Sequence, residues 1–140
     1  MQNFSKECKS KIIFFKKILN SSGNLTFIES NNQIDFNINR VYWIYDVPGA
    51  ETRGGHAYNK LQEVIIALSG SFDLIVDDGL SKKKKFRLNR SYEGVYIPGK
   101  TWRELKNFST NAVALVLASN EYNENDYIRE YSKFTKLVSI

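Results

Sequence analysis

Short runs of apolar, β-branched and aromatic residues recur about every ten positions along much of this chain, separated by Gly, Pro and Asn. The clearest is Asn39-Arg40-Val41-Tyr42-Trp43-Ile44-Tyr45-Asp46, which ends ahead of the Pro48-Gly49 turn. A side-chain period of two predicts a strand there, with Arg40, Tyr42 and Ile44 on one face and Val41, Trp43 and Tyr45 on the other. Leu61 to Leu68 reads as a buried strand closed by Ser69-Gly70. Ser71 to Val76 and Lys84 to Leu88 are expected to pair across Asp77-Asp78-Gly79, a tight-turn signal. Gly94 to Ile97 follows, stopped by Pro98-Gly99, and then Thr101 to Leu105 and Ala112 to Ala118. Strands at this spacing predict an all-β sandwich or barrel.

The two ends are less regular. Ile12 to Leu19 carries the apolar block Ile12-Ile13-Phe14-Phe15 between lysines, and periodicity leaves helix and strand both open. The turn cluster Asn20 to Asn24 and the β-prone Leu25 to Glu29 favour an antiparallel pair. Ser30 to Asp35 reads as loop. Near the C-terminus, Tyr127, Ile128, Tyr131 and Phe134 recur at helical spacing. They predict a helical or irregular segment over Glu124 to Lys136, capped by Asn123 or Asn125 and lying across the sheet or along the surface.

At 140 residues the chain fits one domain, 1–140, with a short tail over 1–11. Its apolar runs, such as Val64 to Leu68, fall far short of the roughly 20 residues that span a bilayer, so no membrane association is expected. Met1 to Glu7 lacks the apolar core of a signal peptide, which makes a cytoplasmic location the default. Cys8 is the one cysteine, which excludes an intramolecular disulfide and a cysteine-based metal site. The formal charge of +5 is concentrated in Lys82 to Lys85 beside the expected hairpin turn. With no recognised nucleic-acid module nearby, that run reads as a solvated flank, and no nucleic-acid partner is expected.

Candidate chemistry gathers in Arg53-Gly54-Gly55-His56-Ala57-Tyr58-Asn59-Lys60, which holds the single histidine. If Ala57 to Lys60 is extended, His56, Tyr58 and Lys60 share one wall. Gly54 and Gly55 let backbone approach a ligand closely, and Arg53 offers a guanidinium fork suited to phosphate. The same pattern also fits an edge strand whose polar residues face water.

Several blocks, in order, carry a resemblance: Arg40 to Tyr45, Arg53 to Ala57, Asp77-Asp78-Gly79, Gly94 to Pro98, Trp102-Arg103-Glu104, Leu115 to Ser119 and Asp126 to Arg129. Over about residues 12–135 the sequence resembles the cupin-type sugar-nucleotide 3,4-ketoisomerases. These act on dTDP-4-keto-6-deoxyglucose on the way to 3-amino-3,6-dideoxy sugars. The resemblance implies a cupin jelly roll that dimerises with exchanged N-terminal strands and uses no cofactor. Many cupins hold a metal through His-x-His and a later His; with His56 alone, no metal site is expected.

Moving a carbonyl from C4 to C3 needs a base at C3, a donor for the enediolate oxygen and proton return at C4. His56, whose ordinary pKa is about 6.5, is the expected base. Tyr58 is the expected oxyanion donor or proton relay. Arg40, Arg53 and Lys60 are candidates for the diphosphate, and Trp102 and Arg103 for the sugar or nucleobase. Arg129 could reach the nucleotide or a neighbouring subunit, or simply pair with Asp126. Two positions depart from the family pattern: Tyr58 stands where a second histidine is usual, and Ser22 where arginine is common. The first leaves two alternatives, a sugar-nucleotide-binding cupin without this activity and a related epimerase.

Overall fold

The computed structural model describes residues 9–139. Among them, ten strands form two five-stranded sheets. The strands are β1 (Lys11–Phe14), β2 (Arg40–Ile44), β3 (Arg53–Tyr58), β4 (Glu63–Ser69), β5 (Phe72–Asp77), β6 (Lys84–Leu88), β7 (Glu93–Ile97), β8 (Trp102–Lys106), β9 (Val113–Ala118) and β10 (Tyr127–Ile128). A helix, α1, spans Tyr131–Val138. One sheet runs β1-β7-β4-β9-β2 and the other β10-β3-β8-β5-β6, all antiparallel. The expected all-β architecture is therefore the one found.

Between the sheets, Ile65, Phe72, Leu74, Val76, Leu105 and Val116 are fully buried. Each such side chain contributes about 1.5–3 kcal/mol relative to exposure, so this interface is the main source of stability. Alternation along β2 holds as read: Arg40, Tyr42 and Ile44 are half-buried, whereas Val41 and Trp43 are exposed. The Asp77-Asp78-Gly79 turn joins β5 to β6, and Lys84 and Lys85 lie exposed on that edge strand. Lysines there discourage pairing with another sheet edge.

Both ends differ from expectation. The antiparallel pair of 12–19 with 25–29 shrinks to a single bridge between Ile18 and Leu25, whose N–H···O bonds measure 2.8 and 3.0 Å. β1 pairs instead with β7, which places Ile12 against the inter-sheet core and Ile13 and Phe15 against the opposite face. Chain 15–38 then covers that outer face, setting Phe15, Ile34 and Phe36 over Val64, Ile66 and Leu117. At the other end, the helix expected over 124–136 divides. Glu124–Asp126 is a 3-10 turn with the Asn123 side chain accepting from the Asn125 N–H, Tyr127 and Ile128 pair with Tyr58 and Ala57, and only then does α1 begin. Pairing on the open edge of β3 satisfies backbone groups and overrides the helical spacing of the apolar residues. Cys8 and Met1 to Glu7 lie outside the described residues. Among those described, no helix is long and apolar enough to cross a membrane.

Candidate active site

β3 carries the site, and its first residues decide how. Gly54 adopts φ +72°, and the pairing of β3 with β8 shifts register between Arg53 opposite Leu105 and His56 opposite Arg103. Such a bulge re-aims the side chains that follow it. Glycine is required here for a second reason: the Arg103 Nη1 donates to the Gly54 carbonyl at 2.9 Å, and a Cβ on Gly54 would lie 2.1 Å from that nitrogen. Beyond the bulge, His56 and Tyr58 face a cavity of about 930 Å³, while Ala57 is sealed beneath α1.

The cavity lies against β2 and β3, bordered by the 45–53 connection and by Tyr122, Tyr127 and Arg129. Three of its polar atoms are buried without a hydrogen-bond partner: His56 Nε2, the Tyr58 hydroxyl and Arg40 Nε. Each unmet group costs about 1–3 kcal/mol, so three converging on one cavity mark a place where a bound molecule completes the bonding. The His56 ring stands edge-on to Tyr58 at 4.8 Å and lies 5.0 Å from Tyr127, with Tyr58 and Tyr127 4.6 Å apart.

Beneath these rings lies a buried charge pair. Arg103 Nε donates to Glu63 Oε1 at 2.6 Å, and its Nη2 donates to the Tyr42 hydroxyl at 2.8 Å. Tyr42 in turn donates to Glu63 Oε2 at 3.2 Å. Burial, with the Glu63 charge second, pushes Tyr42 up to about 12. Burial also drives Tyr58 far above the ordinary phenol range, reinforced by Glu63 and Tyr42. His56 moves the other way, down to about 3, because it is buried and because the Arg103, Arg129 and Arg40 guanidiniums oppose a second positive charge. Near neutral pH the cavity thus holds a neutral imidazole beside a protonated phenol.

Of the residues expected from sequence, His56, Tyr58, Arg40, Arg53, Arg103 and Arg129 all line this cavity. Arg40 donates weakly to the Tyr127 hydroxyl at 3.4 Å. Arg103 is buried beneath the cavity, committed to Glu63, Tyr42 and Gly54. Arg129 does not pair with Asp126; it forks onto Glu124 at 2.6 and 2.8 Å. Asp126 accepts instead from the Lys60 and Leu61 backbone N–H groups, both at 3.1 Å.

Two expected residues lie elsewhere. Lys60 borders a separate cleft with Lys100 and Asn120, because β3 ends at Tyr58 and the alternation that would align Lys60 with His56 stops there. Trp102 precedes Arg103 on β8 and so points to the other face, where it packs with Ala57, Ile128 and Phe134 under α1. Sequence reasoning passed over Tyr42, Tyr127, Tyr122 and Glu63. Tyr42 shares the Arg40 face of β2 and Tyr127 stands two residues before Arg129, so both signals were present; nothing local distinguishes Glu63 as a partner for Arg103.

The family described as WxcM-like, C-terminal (FdtA) matches residues 8–139. The chain belongs to this family. As a WxcM-like protein it is 44% identical over 131 residues to the TDP-4-oxo-6-deoxy-alpha-D-glucose-3,4-oxoisomerase of Aneurinibacillus thermoaerophilus, covering 94% of each chain. It superposes on a 3,4-ketoisomerase from Helicobacter canadensis with TM-score 0.92 and 40% identity, over 96% of this chain and all of the other. The ketoisomerase QdtA of Thermoanaerobacterium thermosaccharolyticum has been solved as a His-to-Asn mutant with TDP-4-keto-6-deoxyglucose and, separately, with TDP. The first of these matches at TM-score 0.90 and 38% identity, over 93% of this chain and 94% of that one. The cupin jelly roll of these relatives is also shared, at 16% identity, by an rmlC epimerase from Mycobacterium tuberculosis, a likeness of fold alone. Among the described residues of this WxcM-like chain, no group of three or more His, Cys, Asp or Glu is placed to hold a metal ion.

Proposed function

We propose that this chain is a sugar-nucleotide 3,4-ketoisomerase that converts TDP-4-keto-6-deoxyglucose to a TDP-3-keto-6-deoxyhexose for deoxyamino-sugar synthesis. The supporting observation is the set of buried, unpartnered polar atoms on His56, Tyr58 and Arg40 inside a cavity ringed by guanidiniums. His56 takes the proton from C3, the C3–H electron pair becomes the C3–C4 double bond of an enediolate, and the C4 carbonyl oxygen takes up the charge. Tyr58 donates to that oxygen and, being donor and acceptor at once, passes the O3 proton to O4 as the proton returns to C4. Proton transfers alone account for this reaction, so the reading requires no cofactor. Arg40, Arg53 and Arg129 supply the positive wall for the diphosphate.

On this reading the enzyme is a cytoplasmic homodimer. In the single chain β1 pairs with its own β7, and exchange would keep these same pairs between two subunits. Exposed Phe14, Trp43 and Leu68 offer apolar surface for that contact. Light scattering should give the mass of two chains; a single-chain mass removes the dimer.

His56→Asn tests the assignment. It should lower turnover by at least about 10²-fold while TDP binding, measured by calorimetry, persists. Full turnover by that variant would remove His56 from the chemistry. Tyr58→Phe should slow the reaction by about 10²-fold, and an unchanged rate would make the phenol a plain wall.

A further inference from the structure

At the mouth of the cavity, one arginine is held with unusual completeness for a surface residue. Arg129 Nε donates to Glu124 Oε1 at 2.6 Å and its Nη2 to Glu124 Oε2 at 2.8 Å. The Tyr122 hydroxyl donates to the same Oε2 at 2.5 Å, which fixes the carboxylate as well. The guanidinium rests over the Tyr127 ring at 4.2 Å. Both charged side chains are about half exposed, at 54% and 52%, and a pair so open to water adds little to stability. The fork, the third bond and the ring together define a direction rather than a strength.

A guanidinium carries more N–H donors than this fork uses: Nη1 and the remaining Nη2 proton form a second edge, pointing away from Glu124. Arg129 borders both the cavity and a neighbouring surface groove, whereas Glu124 borders only the groove, on the side away from His56 and Tyr58. We infer that Glu124 is a positioning residue, holding Arg129 flat on Tyr127 with its free edge turned to the cavity and ready for the diphosphate of the sugar nucleotide. This rests on the ketoisomerase reading, because that reading supplies the diphosphate.

Two observations separate positioning from masking. Among the described residues no carboxylate sits on the donors of the free edge, so a diphosphate can bind without breaking the Glu124 fork. The Tyr122 bond ties Glu124 to the mouth independently of Arg129, as a fixed support requires. The Arg129 fork, with the Tyr122 bond second, lowers Glu124 to about 2, so the support stays anionic at any working pH. Without it, Arg129 would regain rotamers that a ligand would have to freeze, a loss of about three- to tenfold in affinity.

The test is a double-mutant cycle with TDP as the probe, read by calorimetry, together with KM and kcat for the keto sugar. Glu124→Gln should weaken TDP binding and raise KM by about three- to tenfold, with kcat within about twofold of wild type. Adding Glu124→Gln to Arg129→Gln should then cost no further affinity, because the carboxylate acts through that guanidinium. Glu124→Gln binding TDP as tightly as wild type, or more tightly, overturns the inference, and so does an additive loss in the double variant. Wild-type protein that fails to bind TDP overturns the ketoisomerase reading itself, a result distinct from either.

Discussion

A buried imidazole among three guanidiniums is a base kept uncharged, and this gives His56 a pH signature. With a pKa of about 3 in the fold and about 6.5 when unfolded, the unfolded chain binds the extra proton between those limits. The stabilising contribution of neutral His56 is therefore complete above the unfolded value and declines as pH falls from there toward 3. Activity should follow the folded value: kcat/KM should stay flat between pH 8 and pH 6, where an ordinary imidazole would lose about three-quarters of its neutral form at the lower limit. An acid limb centred near pH 6.5 would contradict the buried, cation-flanked setting. Bound diphosphate adds negative charge beside Arg40 and Arg129, so the limb in kcat should lie above that in kcat/KM. His56 was legible in the sequence because it is the only histidine and follows two glycines. Lys60 and Trp102 lie off the cavity for two reasons: Lys60 follows from a two-residue period that stops with β3 at Tyr58, and Trp102 follows from the family resemblance although alternation along β8 sets it on the face opposite Arg103.

At the scale of elements, β3 is held from both sides. Arg103 on β8 bonds the Gly54 carbonyl at the bulge, and Glu63 on β4 fixes Arg103 from the other sheet. Both charges are almost wholly buried, so removing one leaves the other stranded, at a cost of about 3–5 kcal/mol. Glu63→Leu should lower the melting temperature by roughly 10 to 20 °C. A melt within a few degrees of wild type would show that the pair is not what ties the sheets at β3. Alternation predicted the faces of β2 well, since that strand is wet on one side and dry on the other. The helical spacing over 124–136 anticipated α1 but not its start, because a two-residue strand takes the open edge of β3 between two helical pieces. Edge pairing is a tertiary demand that no local period announces, and the same holds for β1, which finds β7 some eighty residues away.

Across the whole molecule, two packed sheets supply rigidity and α1 braces the back of β3, leaving one face of that strand free to line a cavity. The sandwich was legible from strand spacing because each strand buries one face. The cavity was not, because it is formed by β2, β3 and the mouth at Tyr122 to Arg129, segments that meet only after folding. Isomerisation in that cavity is tested most directly by nuclear magnetic resonance of TDP-4-keto-6-deoxyglucose incubated with the protein in heavy water. The expected result is a carbonyl that moves from C4 to C3 with the C5 hydrogen left as protium. A carbonyl that stays at C4, or deuterium entering at C5, would contradict it.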